Sequence, residues 1–510
     1  MTNPMQRGQA AIQARNLPEA VHWFQQAVAE HPREAQPKAC LGQALCWQGR
    51  HDEGIAHLRQ AGRDLLKQAR KTRDIGLLLA LTEQLQYWND YPGALELGRE
   101  AVRANGAVVR GHQLLALTLS RLNQTGPALE AARRAARLAP DSAMLQILLA
   151  SIETADKQYA AARQRLEQIL RSRLTPEEEF RAHKELAAIL DKLGEYPAVF
   201  PHLHAAAKLS ALLPEVRKQD AELVPALLRA NKAGFTPELL GRWSGAEFPD
   251  DTPAPAFVLG FMRSGTTLTQ EVLDAHPRVF LADETDLVYA MVQELKRLSP
   301  SGATLPEQLA QLDFAGVVRL RRFYWERART RFGDALGPDR LLVDKTTMNT
   351  IDLGLVNVLF PDSKVIFVTR DPRDVCLSCF MQIMAPTPST VHLLHWRGTA
   401  EFYARTMDWW MTVKPRLSLG FAELRYEDAV ADFEASFGRV FEFLGLPWDP
   451  AVARFHERAA AKYVNSPSFS QVAQPLYSSS VARWRHYAPE FASVADLLNP
   501  YVAAFGYPVQ

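Results

Sequence analysis

The chain has 510 residues, enough for more than one folded unit. Its 58 Lys and Arg stand against 57 Asp and Glu, leaving a formal charge of +1, with 47% hydrophobic and 23% charged residues. That balance excludes a globally basic binder of nucleic acid or of an anionic membrane, so any anion site has to be a local arrangement.

The N-terminus, Met1-Thr2-Asn3-Pro4-Met5-Gln6-Arg7, leads into a polar amphipathic segment with no apolar signal core. No uncharged apolar run of about 18 residues follows, so no membrane span is predicted. Residues 1–212 are rich in Ala, Leu, Gln and Arg and read as helix after helix. A small-plus-apolar pair recurs at Ala20-Val21, Gly54-Ile55, Ala94-Leu95, Ala128-Leu129, around Ala162 and at Ala198-Val199. The interval is 34 from Ala20 to Gly54, from Ala94 to Ala128 and from Ala128 to Ala162; the other two are 40 and 36. Pro32 and Pro140 each lie 12 residues after such a position. This period, with a small residue wherever a partner helix must come close, resembles tetratricopeptide repeats. A generic Ala-rich bundle shares the composition but has no reason to keep the interval. Stacked helix pairs bury a continuous core and offer a concave face, so a protein or peptide partner is expected for residues 1–212.

Residues 213–252 read as a connector, helical between Lys218 and Lys232 and ending in the Pro-rich, acidic run Phe248-Pro249-Asp250-Asp251-Thr252-Pro253. From 253 to 510 the pattern changes to short apolar runs separated by helical stretches. Ala256–Gly260, Leu341–Val343 and Lys364–Thr369 are read as buried strands, and Leu419–Tyr426 as a weaker fourth. Strands alternating with helices predict an α/β domain, a parallel sheet flanked by helices.

Two strand-to-helix corners carry the chemistry. The first is Phe257-Val258-Leu259-Gly260-Phe261-Met262-Arg263-Ser264-Gly265-Thr266-Thr267. Exposed amides at a helix start, with the helix dipole behind them, cradle an anion. The spacing Gly260-x4-Gly265 copies the nucleotide phosphate loop, but Thr266 stands where that loop needs lysine, and Arg263 sits inside it. A guanidinium grips one phosphate through a planar fork, which suits a single 5′-phosphate better than a metal-bound triphosphate. The second corner, Val368-Thr369-Arg370-Asp371-Pro372-Arg373, places Arg370 at a strand end and Ser378 two helical turns on. Two anion corners on one sheet describe a nucleotide phosphorylated at two places.

Together, Met262–Thr267 and Val368–Arg373 resemble the two signatures with which the sulfotransferase family binds 3′-phosphoadenosine 5′-phosphosulfate (PAPS). The resemblance implies 5′-site roles for Arg263, Ser264, Gly265, Thr266 and Thr267, and 3′-site roles for Arg370 and Ser378. Within the family the chain resembles the protein-tyrosine sulfotransferases, through Leu273-Asp274-Ala275-His276-Pro277 and Asp283-Glu284-Thr285. By that match Glu284 is the general base and Lys345 the catalytic lysine. Ser468 assists from the stretch Ser468–Tyr477, Tyr426 contacts the cofactor, and Arg483 replaces a cofactor lysine. The resemblance covers about residues 255–490. It implies metal-independent transfer of a sulfuryl group from PAPS to an acceptor hydroxyl, with adenosine 3′,5′-bisphosphate (PAP) as the product. A protein tyrosine is the acceptor in that branch, although the arginines that follow its base are Asp286 and Ala290 here.

By residue type alone, Glu284 also reads as a first-turn carboxylate favoured by a helix dipole and Lys345 as a solvated charge. A P-loop kinase-like phosphotransferase conflicts with Thr266; a non-catalytic repeat scaffold carrying a nucleotide-binding domain remains the other reading. Cys376-x2-Cys379 has zinc-like spacing but no second pair, and reads as thiols in a core. His392-x2-His395 and His202-x-His204 lack a third ligand. Arg319-x-Arg321-Arg322 with Tyr324 and Trp325 reads as a solvated helix face. No metal is expected. Four cysteines in two distant pairs, Cys40/Cys46 and Cys376/Cys379, fit a reducing, cytoplasmic setting.

Overall fold

In a computed structural model the described residues are 3–299, 302–461 and 480–509. The chain divides into two bodies, Met1–Leu174 and Thr175–Gln510.

The first body is five helical hairpins. They pair α1 (Pro4–Gln13) with α2 (Leu17–Glu30), α3 (Ala35–Trp47) with α4 (His51–Thr72), α5 (Gly76–Tyr87) with α6 (Tyr91–Ala104), α7 (Val109–Arg121) with α8 (Thr125–Leu138), and α9 (Ala143–Ala155) with α10 (Tyr159–Ile169). Each pair turns through one residue of positive φ: Arg15, Gly49, Asn89, Asn123 and Lys157. These turns repeat the 34-residue interval, except between Gly49 and Asn89, which are 40 apart. The cause is α4, at 22 residues against 14 for α2, α6 and α8. The small residues sit where the period requires them: Ala20, Ala94, Ala128 and Ala162 have no exposed surface. Between α3 and α4 the approach is backbone to backbone. A Cβ at Gly42 would lie 2.7 Å from the Gly54 carbonyl oxygen, and one at Gly54 would lie 2.6 Å from that of Gly42.

The second body begins earlier than the repeat pattern predicts. α11 (Pro176–Lys192) and α12 (Tyr196–Ser210) form a sixth hairpin of the same type, turning through Gly194 at φ 77°. They nevertheless belong with the residues that follow, so the compact division falls at 174/175 and not at 212. Aromatic packing explains the shift: the Phe200 ring lies 5.2 Å from Trp396, 5.6 Å from Tyr487 and 5.8 Å from Phe380. The expected connector is also folded in. Asn231 donates to the Ile351 carbonyl (2.8 Å), Asn357 donates to the Leu240 carbonyl (2.8 Å), and Thr252 is fully buried. Val224, Leu228 and Leu240 give that segment an apolar side that solvent would not accept, so it packs and does not hang as a linker.

Five parallel strands form the sheet in the order β2-β3-β1-β4-β5: β1 Ala256–Gly260, β2 Val279–Asp283, β3 Leu341–Lys345, β4 Lys364–Thr369 and β5 Gly420–Arg425. β1 lies at the centre; the chain runs from it to β2 and back to β3 on one side, then crosses to β4 and β5 on the other. Such a switch point opens a crevice at the C-terminal strand ends. On one face Ala256, Val258, Ile366 and Val368 pack with Leu268, Val272, Phe437 and Phe441. On the other, Phe367 stacks on Trp410 with ring centroids 3.7 Å apart, and the buried Trp409 donates to the Thr350 carbonyl (2.9 Å). The helix Phe314–Phe332 differs from its sequence reading, because Arg321 is fully buried. Arg321 donates to Asp362 (2.8 Å), to the Leu359 carbonyl (2.9 Å) and to the Thr252 carbonyl (2.5 Å). These acceptors replace the water that the charge pattern predicted around it. Among the described residues no helix is long and apolar enough to cross a membrane.

The approach of α3 to α4 leaves no room for a side chain. Gly54→Leu is expected to destabilise the first body by about 1–3 kcal/mol, the usual cost of overpacking. Thermal unfolding followed by circular dichroism should then show an earlier transition than the unsubstituted chain.

Candidate active site

The first corner follows β1. Gly260 (φ 154°), Arg263 (φ 68°) and Gly265 (φ 108°) bend the chain, and the helix Thr266–Asp274 starts at once. Gly265 is required twice, by its positive φ and because a Cβ there would lie 2.6 Å from the Tyr426 ring. Hydroxyls behind the loop hold it in place. Thr350 receives the Gly260 amide (3.0 Å) and donates to the Gly260 carbonyl (2.7 Å), and Thr266 and Thr347 share a hydrogen bond (3.1 Å). Ser264, Thr266 and Thr267 are buried in the corner, and the Ser264 hydroxyl has no partner among the described residues.

The second corner meets the first. Arg370, at the end of β4, donates through Nη1 to the Arg263 carbonyl (3.1 Å) and through Nη2 to the Ser480 carbonyl (2.5 Å). Its guanidinium lies 4.9 Å from the Tyr426 ring centroid, and its Nε has no partner among the described residues. Arg263 in turn donates to the Ser378 hydroxyl (3.0 Å), on the helix Pro372–Met381. Arg263, Ser378 and Arg370, named for the two ends of one nucleotide, and Tyr426, named as a cofactor contact, are therefore neighbours. An unsatisfied buried hydroxyl and an unsatisfied guanidinium nitrogen are groups that an anion would complete.

The third cluster joins β2 to β3. Lys345, nearly fully buried, sits 2.5 Å from Glu284 and 3.4 Å from Asp283. Burial opposes its charge, but the two carboxylates outweigh that and hold its pKa above the ordinary lysine value. Burial raises Asp283, with Lys345 pulling the other way. Glu284 adopts φ 45° and donates its amide to the Lys345 carbonyl (2.8 Å). Strain of this kind, held by its surroundings, is typical of functional positions. Among the described residues of the second body the non-glycine positive-φ residues are Arg263, Glu284 and Ala482, two of them named from the sequence.

Ser468 lies outside the described residues. Arg483, which the resemblance sets in place of a cofactor lysine, pairs with Asp191 of α11 (2.7 and 3.1 Å) and reaches Met381. Sequence reasoning missed Asp283 as a Lys345 partner, and missed Thr346, Thr347 and Thr350, which brace both loops. The run Thr346-Thr347-Met348-Asn349-Thr350 straight after a strand was the available signal. Cys376 and Cys379 are fully buried, and burial pushes the Cys379 thiol up to about 12.

Residues 255–450 match the profile of the sulfotransferase family. Fold and sequence together define a sulfotransferase-family domain preceded by helical repeats of tetratricopeptide type. Over 419 residues the chain is 27% identical to an uncharacterized protein of Aquifex aeolicus (strain VF5), spanning 80% of this chain and 52% of that one. It is 26% identical over 272 residues to protein-tyrosine sulfotransferase A of Caenorhabditis elegans, spanning 49% of this chain and 66% of that one. The chain thus spans about half the length of the first relative and about two thirds of the second. A solved sulfotransferase domain from the Synechococcus PCC 7002 olefin synthase aligns at 23% identity and TM-score 0.32, over 47% of this chain and 90% of its own.

Below the site, Asp344 is fully buried and accepts from Tyr324 (3.1 Å); burial pushes its pKa to about 7. From about pH 4 to 7 the folded protein therefore holds a proton that the unfolded chain has released. The stability this contributes is full below pH 4 and is lost as pH rises through 7. Asp344→Asn cannot ionise, so its melting temperature, measured from about pH 5 to 7.5, is expected to fall less than that of the unsubstituted protein.

Proposed function

We propose that the protein moves the sulfuryl group of PAPS to an acceptor hydroxyl without a metal. The observation that carries this reading is the junction of the two corners, in which Arg370 holds the Arg263 carbonyl while Arg263 holds Ser378. One bisphosphorylated adenosine is short enough to touch both. Arg263, the amides from Ser264 to Thr267 and the Ser264 hydroxyl would hold its 5′ end; Arg370 and Ser378 would hold the 3′-phosphate, with Tyr426 beside them. PAPS supplies the sulfuryl group and leaves as PAP.

Glu284 takes the proton of the acceptor hydroxyl as its oxygen bonds to sulfur. The broken S–O bond leaves its electron pair on the 5′-phosphate oxygen, where Lys345 meets the growing charge. The base is worth about 10²–10⁴-fold and fixed charge stabilisation a comparable factor. Asp283 and Glu284 would otherwise be apt metal ligands, but Lys345 already occupies both. A lysine held on β3 by two carboxylates also differs from the loop lysine that a P-loop kinase needs.

A protein tyrosine suits the acceptor role, as the name of the Caenorhabditis elegans relative states for that protein. Asp286, which stands where that branch has arginine, is paired with Arg327 (2.7 Å) and Arg331 (3.2 Å), so the helix Phe314–Phe332 brings cations near the base. The repeat array is proposed to hold a protein or peptide partner. Four free cysteines fit a cytoplasmic setting.

PAP should bind equally well in EDTA and in Mg²⁺ by calorimetry; a strict metal requirement would defeat the proposal. Glu284→Gln should lower sulfate transfer from labelled PAPS by about 10²–10⁴-fold with PAP affinity unchanged. Full activity in that variant removes Glu284 as the base. Arg370→Ala should weaken PAP by about ten- to a hundredfold.

A further inference from the structure

We propose that Asp191, in the repeat-like hairpin, is a positioning residue for the donor nucleotide. The inference rests on the PAPS reading and extends the site into a helix that the sequence assigns to the repeats. It starts from the segment 480–487, which passes beside the second corner. Polar ties and ring contacts hold that segment, among them Tyr196 stacked on His486 (4.0 Å) and Phe200 beside Tyr487 (5.6 Å). Ser480 gives its carbonyl to Arg370. Asp374 receives the amides of Ala482 and Trp484, both at 2.8 Å. Arg373 lies 3.6 Å from the Trp484 ring centroid. Asp191 supplies the carboxylate for its C-terminal part: it receives Arg483 through Nε (3.1 Å) and Nη2 (2.7 Å), and the Tyr487 hydroxyl (2.6 Å).

Asp191 is buried, with three donors on its two oxygens. It is therefore an ionic clamp shielded from water, where charge-assisted bonds are strongest. A second residue on the same helix supports it. Lys184, two helical turns before Asp191, donates to the Phe380 carbonyl at the end of the helix Pro372–Met381 and lies 5.0 Å from the Phe380 ring centroid. That helix carries Ser378 and begins just after Arg370. α11 thus braces both the helix and the segment whose backbone receives Arg370.

Release of Arg483 and Tyr487 would loosen the Ser480 carbonyl, and with it the Arg370 guanidinium. The loss falls on nucleotide binding and not on the Lys345–Glu284 pair, which lies on β2 and β3. Asp191→Asn in the full chain is expected to weaken PAP about tenfold and to raise the KM for PAPS by the same factor, with kcat within about twofold. Asp191→Glu, which keeps the charge, should recover part of the affinity. Tyr487→Phe removes one bond, keeps the ion pair and should weaken PAP about threefold, so the inference stays testable if Asp191→Asn fails to fold. A folded Asp191→Asn with unchanged PAP affinity, or one that loses kcat alone, overturns the inference and leaves the PAPS reading standing. Failure of the unsubstituted protein to bind PAP overturns both.

Discussion

The buried fork of Arg370 is the interaction on which the site depends. A guanidinium loses its hydration when it is enclosed, and it is tolerated only where acceptors replace the water. Here most of those acceptors are neutral. Two are carbonyl oxygens, from Arg263 and Ser480, and the Tyr426 ring faces the cation. The nearest carboxylate, Asp374, stands 3.9 Å away with its oxygens already receiving two amides. Among the described residues, Arg370 therefore ties three separated segments together while its nearest carboxylate stays at 3.9 Å. A buried cation in that state favours an anion in its vicinity.

The sheet explains why these segments converge. With β1 central and parallel to both neighbours, the loops after β1, β3 and β4 rise at the same edge. The backbone departs from easy conformations at Arg263 and Glu284, on that edge, and at Ala482 beside it. Each is held from outside: Arg263 by Arg370, Glu284 by the Lys345 carbonyl and ammonium, Ala482 by Asp374. Packing stabilises the strained geometry, so the chemistry-bearing side chains do not have to search for it.

Much of this was legible in the sequence, for identifiable reasons. β1, β3 and β4 are short apolar runs buried on both faces, and the two corners follow them with glycine, arginine and hydroxyl residues in a fixed order. β2 was not read, because Val279-Phe280-Leu281-Ala282-Asp283 is a half-buried edge strand with no flanking turn signal strong enough to separate it from the preceding helix. Arg321 was misread because charge pattern reports local polarity, whereas Asp362 and two carbonyls supply its solvation from distant positions. Arg483 kept its place beside the second corner but turned toward Asp191, almost three hundred residues earlier, a pairing that no local pattern encodes. The 212 boundary followed the repeat period faithfully. Periodicity describes how a hairpin is built and is silent on what covers it.

The sixth hairpin carries a consequence for how such a chain can vary. Arrays of this kind change length by duplicating or dropping a unit, and each new unit needs only neighbours like itself. α11 and α12 obey the same internal grammar, but their outward face is committed to Phe380, Trp396, Arg483 and Tyr487. Deletion of this hairpin would take that face from its complement. The sixth hairpin is thus fixed in number by contacts within the second body that its repeat grammar does not encode.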